Sequence, residues 1–148
     1  MTEKSYSSEL QRVLARSDID KLRSQLATYY KHSATEWPDE VNQDMDAVMD
    51  AYSDDPERGL PYVVFAMAEY EDADFLGLMS AGLLENLLQD PTPDLLDRIA
   101  TEARKTARMR WMLGIPYRHA ISARAWQKIK DYVIQDVDGT PLPPAPFV

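Results

Sequence analysis

The sequence predicts an all-α protein, and three observations lead to that prediction. Apolar residues recur along the chain at helical spacings of three and four, helix-start signals precede these stripes, and alternating strand patterns are almost absent. The 148 residues suffice for one ordinary domain. We therefore expect about seven helices joined by short links.

The first three helices are predicted from their start signals. Ser8-Glu9-Leu10-Gln11 has the order of a capping box, and Ser17-Asp18-Ile19-Asp20 repeats a start signal before a second apolar stripe. Pro38 is typical of a first helical turn, and Asp39 and Glu40 behind it suit the positive end of a helix dipole. A third helix is expected from there.

A fourth helix is predicted from Asp55-Pro56-Glu57 to Tyr70. Pro61 lies inside this pattern, and a proline beyond the first turn removes a backbone hydrogen bond. We therefore expect either that the helix begins nearer Leu60 or that its first turn is distorted. A fifth helix is expected over residues 75–88, after a polar turn.

The clearest helix start lies in the second half of the chain. Thr92-Pro93-Asp94 places a hydroxyl at the cap and a proline at the first helical position, which predicts a helix ending near Thr106. A short helix over residues 108–113 and a final helix over 121–134 follow. Short links favour antiparallel hairpins, arranged either as a short HEAT-like superhelix or as an orthogonal bundle.

The C-terminus differs in composition from the rest of the chain. We expect residues 1–135 to form a single helical domain and residues 136–148 to form an extended tail. Its prolines at 141, 143, 144 and 146 prevent a helix and favour polyproline II. The tail is interpreted either as a segment that is folded back over the core or frayed, or as a ligand for an SH3-type domain.

Composition argues against several classes of protein. The chain has no cysteine, which excludes a disulfide framework, a thiolate metal site and thiol catalysis. Neither His32 nor His119 belongs to a metal-binding helical motif. No apolar stretch reaches the roughly 20 residues of a membrane helix, and the N-terminus has no apolar signal-peptide core. We expect a cytoplasmic, non-catalytic protein with no cofactor, no bound metal and no membrane partner.

Charge is segregated along the chain. Residues 34–97, the acidic segment, carry seventeen acidic side chains and one basic one. Residues 98–130, the basic segment, carry nine basic side chains and one acidic one. The net charge of −9 argues against a general DNA or anionic-membrane binder, because the overall field repels phosphate.

Six acids of the acidic segment form the candidate partner-binding site, which we name the acidic face. They are Asp39, Glu40, Asp44, Asp46, Asp50 and Asp54. One interpretation is that they bind a cationic protein by electrostatic steering, as expected of an immunity or inhibitor protein against a cationic toxin or nuclease. The other is that they only solvate a helix face.

The basic segment is an alternative site. Its candidate residues are Arg104, Lys105, Arg108, Arg110 and Arg118. Cations interleaved with tryptophan and tyrosine can bind nucleic acid through phosphate contacts and base stacking, as a regulator would. Alternatively, these cations pair with the acids of the same chain, each exposed pair contributing about 0–1 kcal/mol.

Two further expectations concern carboxylates. Glu85 lies in an apolar run, so we expect it to be partly buried and paired with Arg98 or Arg110. Such a pair would be structural. The dense acids of residues 69–74 suggest a third hypothesis, an enzyme with a carboxylate site.

Five stretches resemble an uncharacterised family of bacterial helical domains. They are Asp55-Pro56-Glu57-Arg58, Gly82-Leu83-Leu84-Glu85-Asn86-Leu87-Leu88, Leu96-Asp97-Arg98-Ile99, Glu102-Ala103-Arg104 and Arg108-Met109-Arg110-Trp111-Met112-Leu113-Gly114. The resemblance covers roughly residues 56–117. It implies a helical domain of unknown function and supplies no established activity.

Overall fold

The computed structural model describes residues 8–33, 48, 56–134, 137 and 139–144. Within these ranges the regular structure is helical and contains no strand, which confirms the predicted all-α class. The helices are α1 (Ser8–Leu14), α2 (Ile19–Ser33), α3 (Pro56–Glu69), α4 (Ala73–Met79), α5 (Glu85–Leu87), α6 (Pro93–Lys105), α7 (Ala107–Leu113) and α8 (Ala123–Ile129). The helix predicted after Pro38 lies outside the described residues, except for Val48, which is helical and buried.

The core is built around α3. Every side chain from Tyr62 to Ala68 is buried, so this part of the helix is covered on all sides. It packs against α1, α2, α4 and α5. The choice between a superhelix and an orthogonal bundle stays a prediction.

Helix α3 begins before Leu60, the later of the two starts considered for it. It starts at Pro56 and continues through Pro61, so the start nearer Leu60 is wrong. The hydrogen bond lost at Pro61 costs stability, but the fully buried turns that follow hold the segment helical.

The helix predicted over residues 75–88 is interrupted. Helix α4 begins behind Asp72, whose carboxylate accepts a hydrogen bond from the Phe75 backbone N–H at 3.1 Å. A π-helical stretch, Ser80–Leu84, then separates α4 from α5. The buried Ser80 hydroxyl donates to the Leu76 carbonyl oxygen at 2.7 Å, a contact that perturbs regular helix geometry.

Thr92 and Thr106 delimit α6. The Thr92 hydroxyl accepts a hydrogen bond from the Leu95 N–H at 3.2 Å, which confirms the predicted cap. Thr106 has an extended backbone that ends α6, and its hydroxyl accepts a bond from the Met109 N–H at 3.4 Å. One threonine therefore closes α6 and opens α7, so the two helices lie in contact.

The final helix is shorter than the predicted span 121–134. Ser122 caps α8, accepting a bond from the Ala125 N–H at 3.2 Å, and the helix ends at Ile129. The chain then turns back toward α7, where the Ile134 N–H donates to the Arg110 carbonyl oxygen at 3.4 Å. This tertiary contact replaces the last predicted helical turn.

Among the described residues, no helix combines the length and the apolar character needed to cross a membrane.

Candidate functional site

The acidic face lies outside the residues that the structure describes. Its role therefore stays a prediction from sequence. The basic segment, residues 98–130, is described throughout, and its side chains show which of the two interpretations of that segment the fold favours.

Arg108 is a buried cation on α7, with 1% of its side chain exposed. Its guanidinium donates to the carbonyl oxygens of Met67 at 2.8 Å, Tyr70 at 3.1 Å and Pro143 at 2.7 Å, and to Glu71 Oε2 at 2.6 Å. Two of these carbonyls lie at the C-terminal end of α3, where a positive charge complements the helix dipole. Burial removes Arg108 from the candidate nucleic-acid surface.

Glu85 is half-buried as expected, but its predicted partners are wrong. Its Oε1 accepts a hydrogen bond from the Tyr117 backbone N–H at 2.8 Å. Among the described residues it forms no salt bridge with Arg98 or Arg110. A backbone donor satisfies this carboxylate, so no buried arginine is needed beside it.

Arg98 instead joins α6 to α1. Its Nε and Nη2 donate to the two carboxylate oxygens of Glu9 at 2.8 and 2.9 Å, in a bidentate pair. The Glu9 side chain is 6% exposed and that of Arg98 is 24% exposed. Asp94 lies 3.8 Å from the same guanidinium.

Arg110 also serves the fold. Its Nη1 donates to the carbonyl oxygens of Ala103 at 2.9 Å and Arg104 at 3.4 Å, at the end of α6. These carbonyls have no partner within their own helix, so the arginine acts as a cap. The guanidinium of Arg110 is thus directed at backbone.

The cations near α8 have partners from the same chain as well. Lys128 pairs with Asp97 at 2.9 Å, and Arg124 donates to the Pro91 carbonyl oxygen. The exposed Arg118 guanidinium lies 4.4 Å from the centre of the Trp126 ring, in cation–π geometry. Internal pairing therefore accounts for much of the basic segment.

Arg104 and Lys105 are exposed at the end of α6. Arg104 borders a groove of about 500 Å³ between α6 and the residues around α8, together with Thr101, Gln127, Lys128 and Tyr132. Asp97 also borders this groove, and its carboxylate pairs with Lys128. The groove combines one exposed guanidinium with amide, hydroxyl and aromatic groups.

Among the acids of residues 69–74, Asp72 is the candidate whose carboxylate the fold holds by two hydrogen bonds. It accepts hydrogen bonds from the Tyr30 hydroxyl at 2.8 Å and from the Phe75 N–H, and these bonds hold its pKa below the ordinary value of 3.8. A general base near neutral pH would require the opposite shift. Among the described residues, no group of three or more His, Asp or Glu side chains could hold a metal ion.

Sequence reasoning missed the structural role of Arg108. The signal was present, since Arg108 shares its helix face with the buried Trp111 and Met112, three and four positions further on. A charged residue on an apolar stripe indicates a buried, hydrogen-bonded group. Its acceptors come from distant residues, which a helical pattern cannot identify.

Comparison with known proteins places the chain in a family. A model of a family of unknown function, DUF6869, matches residues 29–137, a wider span than the resemblance over residues 56–117. No curated protein and no solved structure matches the chain significantly. The chain belongs to the family of unknown function DUF6869.

Proposed function

We propose that this chain is a non-catalytic protein-interaction domain that binds a cationic partner protein through the acidic face. The concrete form of the proposal is an immunity or inhibitor protein in the bacterial cytoplasm, acting against a cationic toxin or nuclease. The observation that supports it most is the internal use of the basic segment. Salt bridges join Arg98 to Glu9, Arg108 to Glu71 and Lys128 to Asp97.

Negative charge is also concentrated in one stretch of the sequence. Residues 34–55 contain eight acids and no lysine or arginine. A concentrated negative field accelerates association with a cationic surface and opposes phosphate-containing partners. The proposal therefore predicts fast, salt-sensitive binding to a basic protein.

Capture from a lysate of the native host tests the proposal, with three versions of the full chain as baits. The Asp46→Lys/Asp50→Lys variant reverses two charges of the acidic face. The Asp20→Lys/Asp90→Lys variant makes the same change in net charge at side chains that are 94% and 99% exposed. A basic protein should be retained by wild type and by the control variant, released by high salt, and lost with the acidic-face variant.

Equal capture by all three baits would contradict the proposal. Circular dichroism of both variants shows whether the fold survives, so that loss of binding is not confused with unfolding.

The groove beside Arg104 favours a second candidate, nucleic-acid binding. It places an exposed guanidinium, Gln127 and Tyr132 around one cavity, a combination that suits phosphate contact and base stacking. Arg104→Glu should then abolish a salt-sensitive mobility shift of single-stranded RNA or DNA. If wild type produces no such shift at low salt, this candidate fails.

A further inference from the structure

A proline-rich stretch of the chain is bound on α7. The stretch is Thr140-Pro141-Leu142-Pro143-Pro144. The Trp111 indole Nε1 donates to the Thr140 carbonyl oxygen at 3.0 Å, and Arg108 Nε donates to the Pro143 carbonyl oxygen at 2.7 Å. Both hydrogen bonds are made to the backbone of the stretch, and neither depends on its side chains.

The two donors lie on one face of α7, and the two acceptors lie along the stretch. Arg108 and Trp111 are three residues apart on α7, so their side chains share a helix face. Thr140 and Pro143 are also three residues apart. Arg108, which comes first on α7, binds Pro143, which comes last in the stretch, so the two segments run in opposite directions.

Proline suits this arrangement for a physical reason. It lacks an N–H and fixes φ, so a proline-rich segment is extended before it binds and leaves its carbonyl oxygens unpaired. Aromatic-lined grooves recognise such segments at a low cost in conformational entropy.

The groove is organised by contacts other than those to the stretch. Arg108 is held by Met67, Tyr70 and Glu71, which leaves its Nε as the donor for a carbonyl from outside. A buried tryptophan N–H likewise requires an acceptor. The Arg108 donor is therefore oriented by residues outside the stretch, and the Trp111 N–H needs an acceptor where it is buried.

The stretch does not fill the groove. A cavity of about 450 Å³ remains beside it, bordered by Gly77, Trp111, Ile115, Val137 and Leu142. The half-buried Leu142 packs against the core next to this space, so a segment with a bulkier apolar residue at that place also fits.

We infer that the α4–α7 groove is a docking site for a proline-rich segment of a partner protein, and that residues 140–144 of this chain occupy it in cis. The partner segment would present two carbonyl oxygens three residues apart, with an apolar side chain between two prolines. This site is distinct from the acidic face of the proposed function, and its test is independent of that function.

Fluorescence polarisation with a labelled peptide of residues 139–146 tests the inference on the full chain. Leu142→Asp weakens the cis contact by placing a charge in the cavity that Asp74 also borders, while it leaves the groove intact. The peptide should bind this variant at least about tenfold more tightly than wild type, because a tethered segment competes at a high effective concentration. Adding Trp111→Phe should weaken binding about three- to tenfold through the lost hydrogen bond.

A control peptide decides between docking and simple apolar adhesion. A peptide with alanine at the three proline positions 141, 143 and 144 should bind more weakly. Equal binding of the two peptides, or no binding to a folded Leu142→Asp chain, would overturn the inference. A wild-type dimer that Leu142→Asp converts to a monomer would also overturn it, since the occupant would then be a second copy.

If Leu142→Asp does not fold, hydrogen exchange on wild type gives the answer. Millimolar peptide should accelerate amide exchange at Thr140 of the intact chain, whose N–H donates to the Val137 carbonyl oxygen at 3.1 Å, by displacing the chain's own stretch. Unchanged exchange under these conditions would contradict the inference.

Discussion

Arg108 Nη2 lies 2.6 Å from Glu71 Oε2, and the two side chains differ sharply in exposure. The arginine is 1% exposed and the glutamate is 71% exposed, so the pair joins a buried cation to the surface. The remaining guanidinium donors reach carbonyl oxygens of two distant segments. This one side chain connects the end of α3, the start of α7 and the proline-rich stretch.

We predict that Arg108→Met lowers the free energy of unfolding by about 3 kcal/mol, because several buried carbonyl oxygens lose their donor together. The matched control, Arg104→Met, removes the same charge from an exposed position and should change stability by no more than about 0.5 kcal/mol. Urea denaturation of both variants measures the difference. Similar losses in the two would show that Arg108 does not organise these segments.

A double-mutant cycle should show that Glu9 and Arg98 are coupled. Their bidentate, mostly buried pair predicts a coupling energy of about 1–3 kcal/mol between Glu9→Gln and Arg98→Met. The corresponding cycle between Glu85→Gln and Arg98→Met should give a coupling energy below about 0.5 kcal/mol. A larger coupling energy for Glu85 and Arg98 than for Glu9 and Arg98 would contradict the observed pair and support the pair predicted from sequence.

Two glycines should respond oppositely to alanine. A Cβ at Gly114 would collide with the Ile134 carbonyl oxygen and with Val137, so Gly114→Ala should lower stability by about 1–3 kcal/mol. A Cβ at Gly77 would meet only Ile115 Cδ1 at 3.8 Å, and Gly77→Ala should raise stability by about 0.4–1 kcal/mol. Thermal midpoints of both variants test the pair. A stabilised Gly114→Ala chain would refute the close approach.

The Tyr30–Asp72 contact predicts a dependence of stability on pH. The Tyr30 hydroxyl lowers the pKa of Asp72 in the folded state below 3.8, so the unfolded chain binds more protons in this range. The contribution of Asp72 is complete above the unfolded pKa and is lost as pH falls through the lower, folded value. Asp72→Asn should therefore flatten the fall of the thermal midpoint below about pH 4.

The neighbouring Asp74→Asn variant is the control, because it removes the same charge without the Tyr30 contact. An unaltered acid limb in Asp72→Asn would contradict the role of this bond. In the alkaline range the dependence of stability on pH has the opposite sign, because stability falls as the pH rises. The hydrogen bond to Asp72 raises the pKa of Tyr30, so its contribution is present below the ordinary value of 10.0 and is lost as pH rises through the higher one.

Local signals in the sequence predicted the helices well where a cap defined them. Thr92 acts as expected of a helix-start residue. The predictions failed where tertiary contacts prevailed over local pattern, as at Ser80, where a side chain bonds to the preceding turn, and at Ile134, which is drawn to α7. The spacing of apolar residues predicts one helix at a time and carries no information about the contacts that neighbouring helices make with it.

The candidate site was less predictable than the fold. Counting charges identified the basic segment but did not distinguish the exposed Arg104 from the buried Arg108, four positions away. That difference depends on which face of each helix packs inward, and on acceptors such as Met67 and Pro143 that are distant in sequence. Long-range acceptors leave no local pattern.

Carbodiimide cross-linking of the captured complex, analysed by mass spectrometry, shows whether the acidic face touches the partner. The reagent joins carboxylates to lysines in direct contact without adding a spacer. Lysines of the partner should become linked to acids of residues 34–55 of this chain. Links confined to Lys105, Lys128 and Lys130, joined to acids of the partner, would contradict this prediction and assign the interaction to the basic segment.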